Sequence, residues 1–211
     1  INSDLIQVIS YIKNTIETDY KEYLIDTVQS INSLLIVFDR KKISLDEFYA
    51  KVKSLKPVKS INKLKSKIWE IPVCYDPYYA SDLEEFSKSK NLSKQDVIKI
   101  HKSKEYDIMS MGFLPGFMYL GNTDNRLYCE RKPRPSLNIK KGSIGLALNQ
   151  TCIYPQDSPG GWHIIGSSPK NFFDLKYKSP CFAKPADKIK FIEISKSTYE
   201  SIKKNKSIKP N

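Results

Sequence analysis

The segment QTCIYPQDSPGGWHIIGSSP, residues 150–169, decides how the second half of the chain is read. It sets Gly160 and Gly161 side by side between Pro159 and Trp162, in a chain whose eight glycines all lie between Gly112 and Gly166. Glycine permits backbone turns and close approaches that a Cβ forbids, so this confinement marks one closely turned region. The sequence around the segment agrees. EYDIMSM (105–111), SIGLAL (143–148), WHIIG (162–166) and KIKFIEIS (188–195) are short strand candidates separated by Gly and Pro turns, the pattern of a compact barrel or sandwich.

Upstream, the periodicity differs. Residues 1, 5, 8, 9 and 12 of INSDLIQVISYIKN are apolar, which is helical spacing. YLIDTVQ (23–29) and SLLIVFD (33–39) read as strands joined by a short turn, and SLDEFYAKVKSL as a helix whose Ser44 and Glu47 have capping-box spacing. WEIPVCYD (69–76) is the next strand. Helix, strand, strand, helix, strand is the ferredoxin-like order without its first strand, and the start at Ile1 rather than Met places that strand upstream of the chain. The fold class is therefore α+β, with a ferredoxin-like domain over 1–78, a β domain over 79–199 and a frayed basic tail over 200–211. The lysine-rich stretch 56–67 reads as an exposed connection. ASDLEEFSKSK (80–90) and SKQDVIKIHKSK (93–104) read as short helices, the second capped by Ser93 with Asp96 and closed by His101.

The formal charge is +12, about +2 over residues 1–110 and +10 over 111–211. Only four of the basic residues are arginine, the side chain suited to bidentate phosphate and base contacts, so the lysine excess reads as a solvated surface and nucleic acid is not an expected partner. Cys74, Cys129, Cys152 and Cys181 form no C-x-x-C pair and there are two histidines, which gives no support to a zinc site or a redox motif. They read as free thiols of a cytoplasmic protein. The longest apolar run, LLIVF at 34–38, is too short to span a membrane. No G-x-S-x-G elbow, Walker A loop or H-E-x-x-H helix occurs, so those hydrolase, ATPase and metalloprotease templates fail.

The Pro159-Gly160-Gly161-Trp162 turn would let backbone approach a ligand beside a flat apolar wall, or it is a hairpin turn with a core tryptophan. A second Gly/Pro cluster, GFLPGFMYLG at 112–121, favours a pocket, since pockets are lined by apolar and aromatic groups with few polar ones. Gln150, Thr151, Tyr154, Asp157 and Ser158 are the polar candidates of the second cluster, and His101 the candidate for proton transfer. His163 follows Trp162 in a strand and points to the opposite face.

Together, HKSKEYDIMSMGFLPGFMYLG (101–121), KKGSIGLALNQTCIYPQDSPGGWHIIGSSP (140–169) and FAKPADKIKFIEIS (182–195) resemble the allophanate hydrolase subunit 1 family, over about residues 1–197. Its members include the PxpB component of 5-oxoprolinase and the kinase inhibitor KipI. The resemblance implies a ferredoxin-like domain followed by a cyclophilin-like β-barrel. It also implies a role in ATP-dependent opening of 5-oxoproline to glutamate, with an allophanate hydrolase subunit 2-like (PxpC-like) partner and a PxpA-like subunit, the chain being inactive alone. The alternative is inhibition of a sensor histidine kinase. On this reading His101 and Gln150 are catalytic. Phe113, Pro115, Gly116, Phe117 and Tyr119 from the first loop, Arg131, and Tyr154, Ser158, Pro159, Gly160, Gly161 and Trp162 from the second contact substrate. ATP serves the complex, and no metal is expected. Three positions depart from the family pattern: Cys152 replaces a glycine, and Ser136 and Ser167 stand where relatives carry arginine, with Arg131 and Arg134 available to compensate.

Overall fold

The computed structural model describes residues 3–55 and 66–205, which divide into two compact units, 1–66 and 67–211. In the first, helix α1 (Ser3–Asp19) packs on the hairpin of β1 (Leu24–Gln29) and β2 (Leu34–Phe38), followed by helix α2 (Leu45–Lys53). The helix buries Ile6, Ile9 and Ile16, and the Ser10 hydroxyl shares a buried hydrogen bond with the Gln29 side chain. The expected capping box is present: Glu47 N–H donates to Ser44 Oγ, and Ser44 N–H to the Glu47 carboxylate. Phe48 on α2 stacks on Phe38 with ring centroids 4.6 Å apart.

The strand at Ile68–Val73 (β3), expected to complete the N-terminal domain, belongs to the second unit instead. It pairs in parallel with β11 (Lys188–Glu193), burying Ile71 and Val73 in the larger core. That unit also contains helices α3 (Leu83–Ser89) and α4 (Lys94–Lys102), and strands β4 (Glu105–Met111), β5 (Met118–Leu120), β6 (Ser136–Ile139), β7 (Ser143–Ala147), β8 (Gln150–Ile153), β9 (Ser158–Gly160) and β10 (His163–Ser167). A seven-stranded sheet runs in the order β10-β7-β8-β5-β4-β11-β3. It curls as a half-barrel until its edges meet, where Cys74 just beyond β3 exchanges backbone hydrogen bonds of 2.8 and 3.0 Å with Ser167 at the end of β10.

Because side chains alternate along a strand, the sheet carries a separate apolar cluster on each face. Ile108, Met118, Leu120, Ile144, Leu146, Ile153 and Ile165 join Leu83, Phe86, Val97 and Ile100 of the helices in the main core. Phe117, Ala147, Cys152, Tyr154, Trp162 and Ile164 form the second cluster together with Ile139 of β6. The chain ends its described part in helix α5 (Lys196–Lys204), capped by Ser195 and anchored by buried Tyr199. Residues 200–204, expected as the start of a frayed tail, are therefore helical, because an amphipathic turn with a seated tyrosine holds them. Residues 206–211 and most of the lysine-rich connection lie outside the described residues. No helix among the described residues is long and apolar enough to cross a membrane.

Candidate functional site

The glycine question resolves through Tyr154. Its ring is fully buried, edge-on to Phe117 at 4.9 Å, and a Cβ on Gly160 would fall 2.2 Å from its hydroxyl and 2.9 Å from Ile139 Cδ1. Gly160 is required because a short strand, β9, crosses directly over that phenol. Gly161 has more room, its nearest neighbours being 3.7 Å away. The first loop carries its own constraint. Gly116 has φ +85° and its Cβ would meet Phe173 Cβ at 2.8 Å, while Phe113 takes a left-handed φ of 69° with its ring 62% exposed. A non-glycine residue in that region costs about 1–3 kcal/mol, and such strain clusters at ligand-handling loops.

The structure brings the two loops together: Phe117 meets Trp162 edge-on at 6.2 Å and Phe113 at 5.5 Å, and Tyr119 lies 6.0 Å from Trp162. Exposed Arg131 completes the group, its guanidinium carbon 5.7 Å from the centre of the Trp162 ring. Lys132 N–H donates to the Gly161 carbonyl at 2.8 Å, which fixes the segment carrying Arg131 against the second loop. Burial raises the pKa of half-buried Tyr119, and the nearby Arg131 charge acts in the opposite direction. A cation held over an aromatic face, beside a neutral phenol, suits an anion attached to a small flat body. Tyr154 and Trp162 are buried walls; Pro115, Pro159 and Phe113 are exposed rims; Ser158 Oγ is buried without a hydrogen-bond partner.

His101 is not part of this surface. It is 0% exposed and stacks on Phe191 at 4.5 Å, with both ring nitrogens engaged. Thr151 Oγ1 gives its one proton to the Gly145 carbonyl at 3.0 Å, so it accepts from His101 Nε2–H at 3.0 Å, and Nδ1 accepts from the Tyr75 hydroxyl at 2.8 Å. Burial drives its pKa down to about 3. The structure places His101, expected as catalytic, in the core with both ring nitrogens bonded rather than on the aromatic surface. Gln150, the other expected catalytic residue, starts β8 at 7% exposure with its amide nitrogen 4.0 Å from the Met109 sulfur. On β8 its side chain points to the same face as that of Cys152, two residues on, which belongs to the second apolar cluster. His163 lies on the face opposite Trp162 as expected, its ring 5.8 Å from that of Phe86 and its Nε2–H donating to the Glu130 carbonyl at 3.0 Å.

Residues 1–183 match the model of the carboxyltransferase domain, subdomains C and D. The chain belongs to this family. It is 40% identical over 141 residues to the B subunit of 5-oxoprolinase from Bacillus subtilis, covering 67% of this chain and 59% of that protein. Among solved structures, TTHA0988 superposes with a TM-score of 0.82 at 27% identity, covering 92% of this chain and 38% of that one. A conserved uncharacterized protein from Pyrococcus horikoshii, PH0987, gives 0.62 at 34%, covering 92% and 90%. The chain thus spans little more than half the length of the Bacillus relative.

In this family member a second concavity lies apart from the aromatic surface. A pocket of about 830 Å³ is lined by none of the residues expected to be catalytic or to contact substrate. It gathers Tyr78 and Tyr79, the β6–β7 turn with Lys140 and Lys141, the segment after β10, and Tyr199 and Lys203 of α5. Residues so far apart in sequence leave no local signal. Asp157, read as part of the second loop, lines this pocket, its carboxylate held by Lys141 N–H at 2.7 Å and Lys140 Nζ at 2.9 Å. Ser136 and Ser167, two of the positions departing from the family pattern, line it as well. The third, Cys152, is fully buried opposite Gly145, where the missing side chain leaves space for its sulfur.

Proposed function

We propose that this chain is a subunit of an ATP-dependent 5-oxoprolinase and that it holds the substrate carboxylate. The observation that carries the reading is the exposed Arg131 guanidinium over the Trp162 face with Tyr119 alongside. 5-Oxoproline is a flat five-membered lactam bearing one carboxylate. Arg131 pairs with that carboxylate, Trp162 and Phe117 support the ring, and the Tyr119 hydroxyl reaches a ring heteroatom. The similarity to the Bacillus 5-oxoprolinase component supports the substrate.

The lactam is an unactivated amide, and phosphorylation of its oxygen by ATP converts it into an electrophile that water opens to glutamate. This chain's residues bind and orient rather than move protons: His101 is sequestered and neutral, and burial raises the thiol pKa of all four cysteines. The proton-transfer groups therefore fall to an allophanate hydrolase subunit 2-like partner and a third, PxpA-like subunit. Within this reading the half-barrel is cyclophilin-like and the N-terminal unit a partial ferredoxin-like domain. The test is reconstitution: glutamate release from 5-oxoproline and ATP should need this chain plus its partner subunits. Turnover by the chain alone, or full turnover by the partners without it, would overturn the proposal.

A further inference from the structure

We infer that the 830 Å³ pocket is a nucleoside-polyphosphate site, which places the ATP of the proposed reaction on this chain. The inference rests on the 5-oxoprolinase reading for the identity of the nucleotide, whereas the pocket's chemistry stands on its own residues. Its size lies within the range of pockets that enclose nucleotide-sized molecules, about 300–1,000 Å³, and far exceeds what a five-membered lactam fills.

Its lining is divided between charge and rings. Lys140, Lys141, Lys170 and Lys203 contribute four positive charges and Asp157 one negative. Lys140 and Asp157 neutralise each other across 2.9 Å. Lys141 and Lys203 suit a polyphosphate, their ammonium groups binding phosphate as point charges without requiring a fixed fork. The rings are those of Tyr78, Tyr79 and Tyr199. Tyr79 and Tyr199 pack tilted at 32° with centroids 4.1 Å apart, and Tyr78, edge-on to Tyr79, is 76% exposed. Ile139, Ile164 and Ile202 extend the apolar surface. A base can stack there, since every base presents a π-face.

Asn171 adds a directional group. It lines the pocket, and its Oδ1 is buried without a hydrogen-bond partner. A buried acceptor left unpaired costs about 1–3 kcal/mol, and the exocyclic amine of adenine is a donor that relieves it. The same lining thus offers rings for a base, an orphan acceptor for its amine and lysines for the phosphates. Neither a free phosphate nor an apolar metabolite meets all three.

The experiment is calorimetric titration of the purified chain with Mg-ATP, with inorganic tripolyphosphate and with adenosine, for the native protein and for the Lys141→Ala/Lys203→Ala, Tyr78→Ala and Lys178→Ala variants. All four substituted side chains are exposed, so the variants should keep the native thermal midpoint. The expected result is saturable one-to-one binding of Mg-ATP, tighter than that of tripolyphosphate or adenosine. The double lysine variant should lose about tenfold or more in affinity for both phosphates, as expected for lost charged hydrogen bonds. Tyr78→Ala should weaken ATP but leave tripolyphosphate unchanged, and Lys178→Ala should match the native protein. Absence of saturable ATP binding, affinity indifferent to the pocket variants, or tripolyphosphate binding as tightly as ATP would overturn the nucleotide site. Glutamate release by the reconstituted complex, measured in parallel, separates the two claims: turnover without nucleotide binding by this chain removes the site and leaves the subunit assignment standing.

Discussion

Acidification from pH 7 to pH 5 should cost the protein about 2 kcal/mol of stability through His101 alone. In the unfolded chain this imidazole takes up a proton below its ordinary value near 6.5, whereas in the native state its pKa is driven down to about 3 by burial. Between those values the unfolded state binds the extra proton. The folded pKa is depressed, so the stabilisation is present in full above pH 6.5 and falls as pH drops, at about 1.4 kcal/mol per unit once the unfolded group is mostly charged. At pH 5 this gives about 2 kcal/mol, a large share of a typical total of about 5–15 kcal/mol. The native imidazole stays neutral throughout the window, so the figure depends little on where below pH 4 it finally titrates. Urea unfolding at pH 7 and pH 5 measures the loss, and His101→Phe isolates it. That variant removes the partner of the Tyr75 hydroxyl and the donor to Thr151 Oγ1 and is less stable at both pH values, but its pH-dependent loss should be smaller by about 2 kcal/mol. Nuclear magnetic resonance of the native ring should show the Nε2–H tautomer unchanged down to pH 4.5. A native imidazole titrating near pH 6.5, or equal pH-dependent losses in both proteins, would refute the reasoning.

Two other outcomes follow from the packing. Gly160→Ala should lower stability by about 1–3 kcal/mol, because its Cβ would collide with a buried and immobile phenol. Gly161→Ala, with its nearest neighbours at 3.7 Å, should change the thermal midpoint little, and the reverse order would contradict the stated role of the β9 crossing. Thiol labelling of the native protein at pH 8 should modify half-buried Cys181 well before buried Cys74, Cys129 and Cys152, the Cys129 thiol being pushed up to about 11 by burial. Early labelling of Cys152 would show that the second apolar cluster opens in solution.

Much of the second unit is legible because its signals are local. Gly/Pro punctuation locates β4, β7, β10 and β11, and the Ser93 cap marks the start of α4, as the Ser44 cap marks that of α2 in the first unit. The strand Ile68–Val73 is legible as a strand but not as to its partner, since parallel pairing with β11 joins residues more than a hundred positions apart. The short strands β6 and β9 escape notice for a related reason: Ser136–Ile139 and Ser158–Gly160 gain strand geometry from each other rather than from their own composition. Within the site, the convergence of Phe113, Phe117, Tyr119 and Trp162 follows from two aromatic turns in one small sheet. His101 misleads because a lone histidine reads as a proton carrier until its partners are known. Only the fold sets Tyr75 and Thr151 on its two nitrogens.

The most direct measurement of the central claim is the steady-state kinetics of 5-oxoproline turnover by the reconstituted complex carrying Arg131→Ala. A guanidinium that holds the carboxylate equally in the ground and transition states contributes uniform binding. The account predicts KM for 5-oxoproline raised by about tenfold or more with kcat largely retained and KM for ATP unchanged. An unaltered KM for 5-oxoproline would contradict it and move the carboxylate site elsewhere.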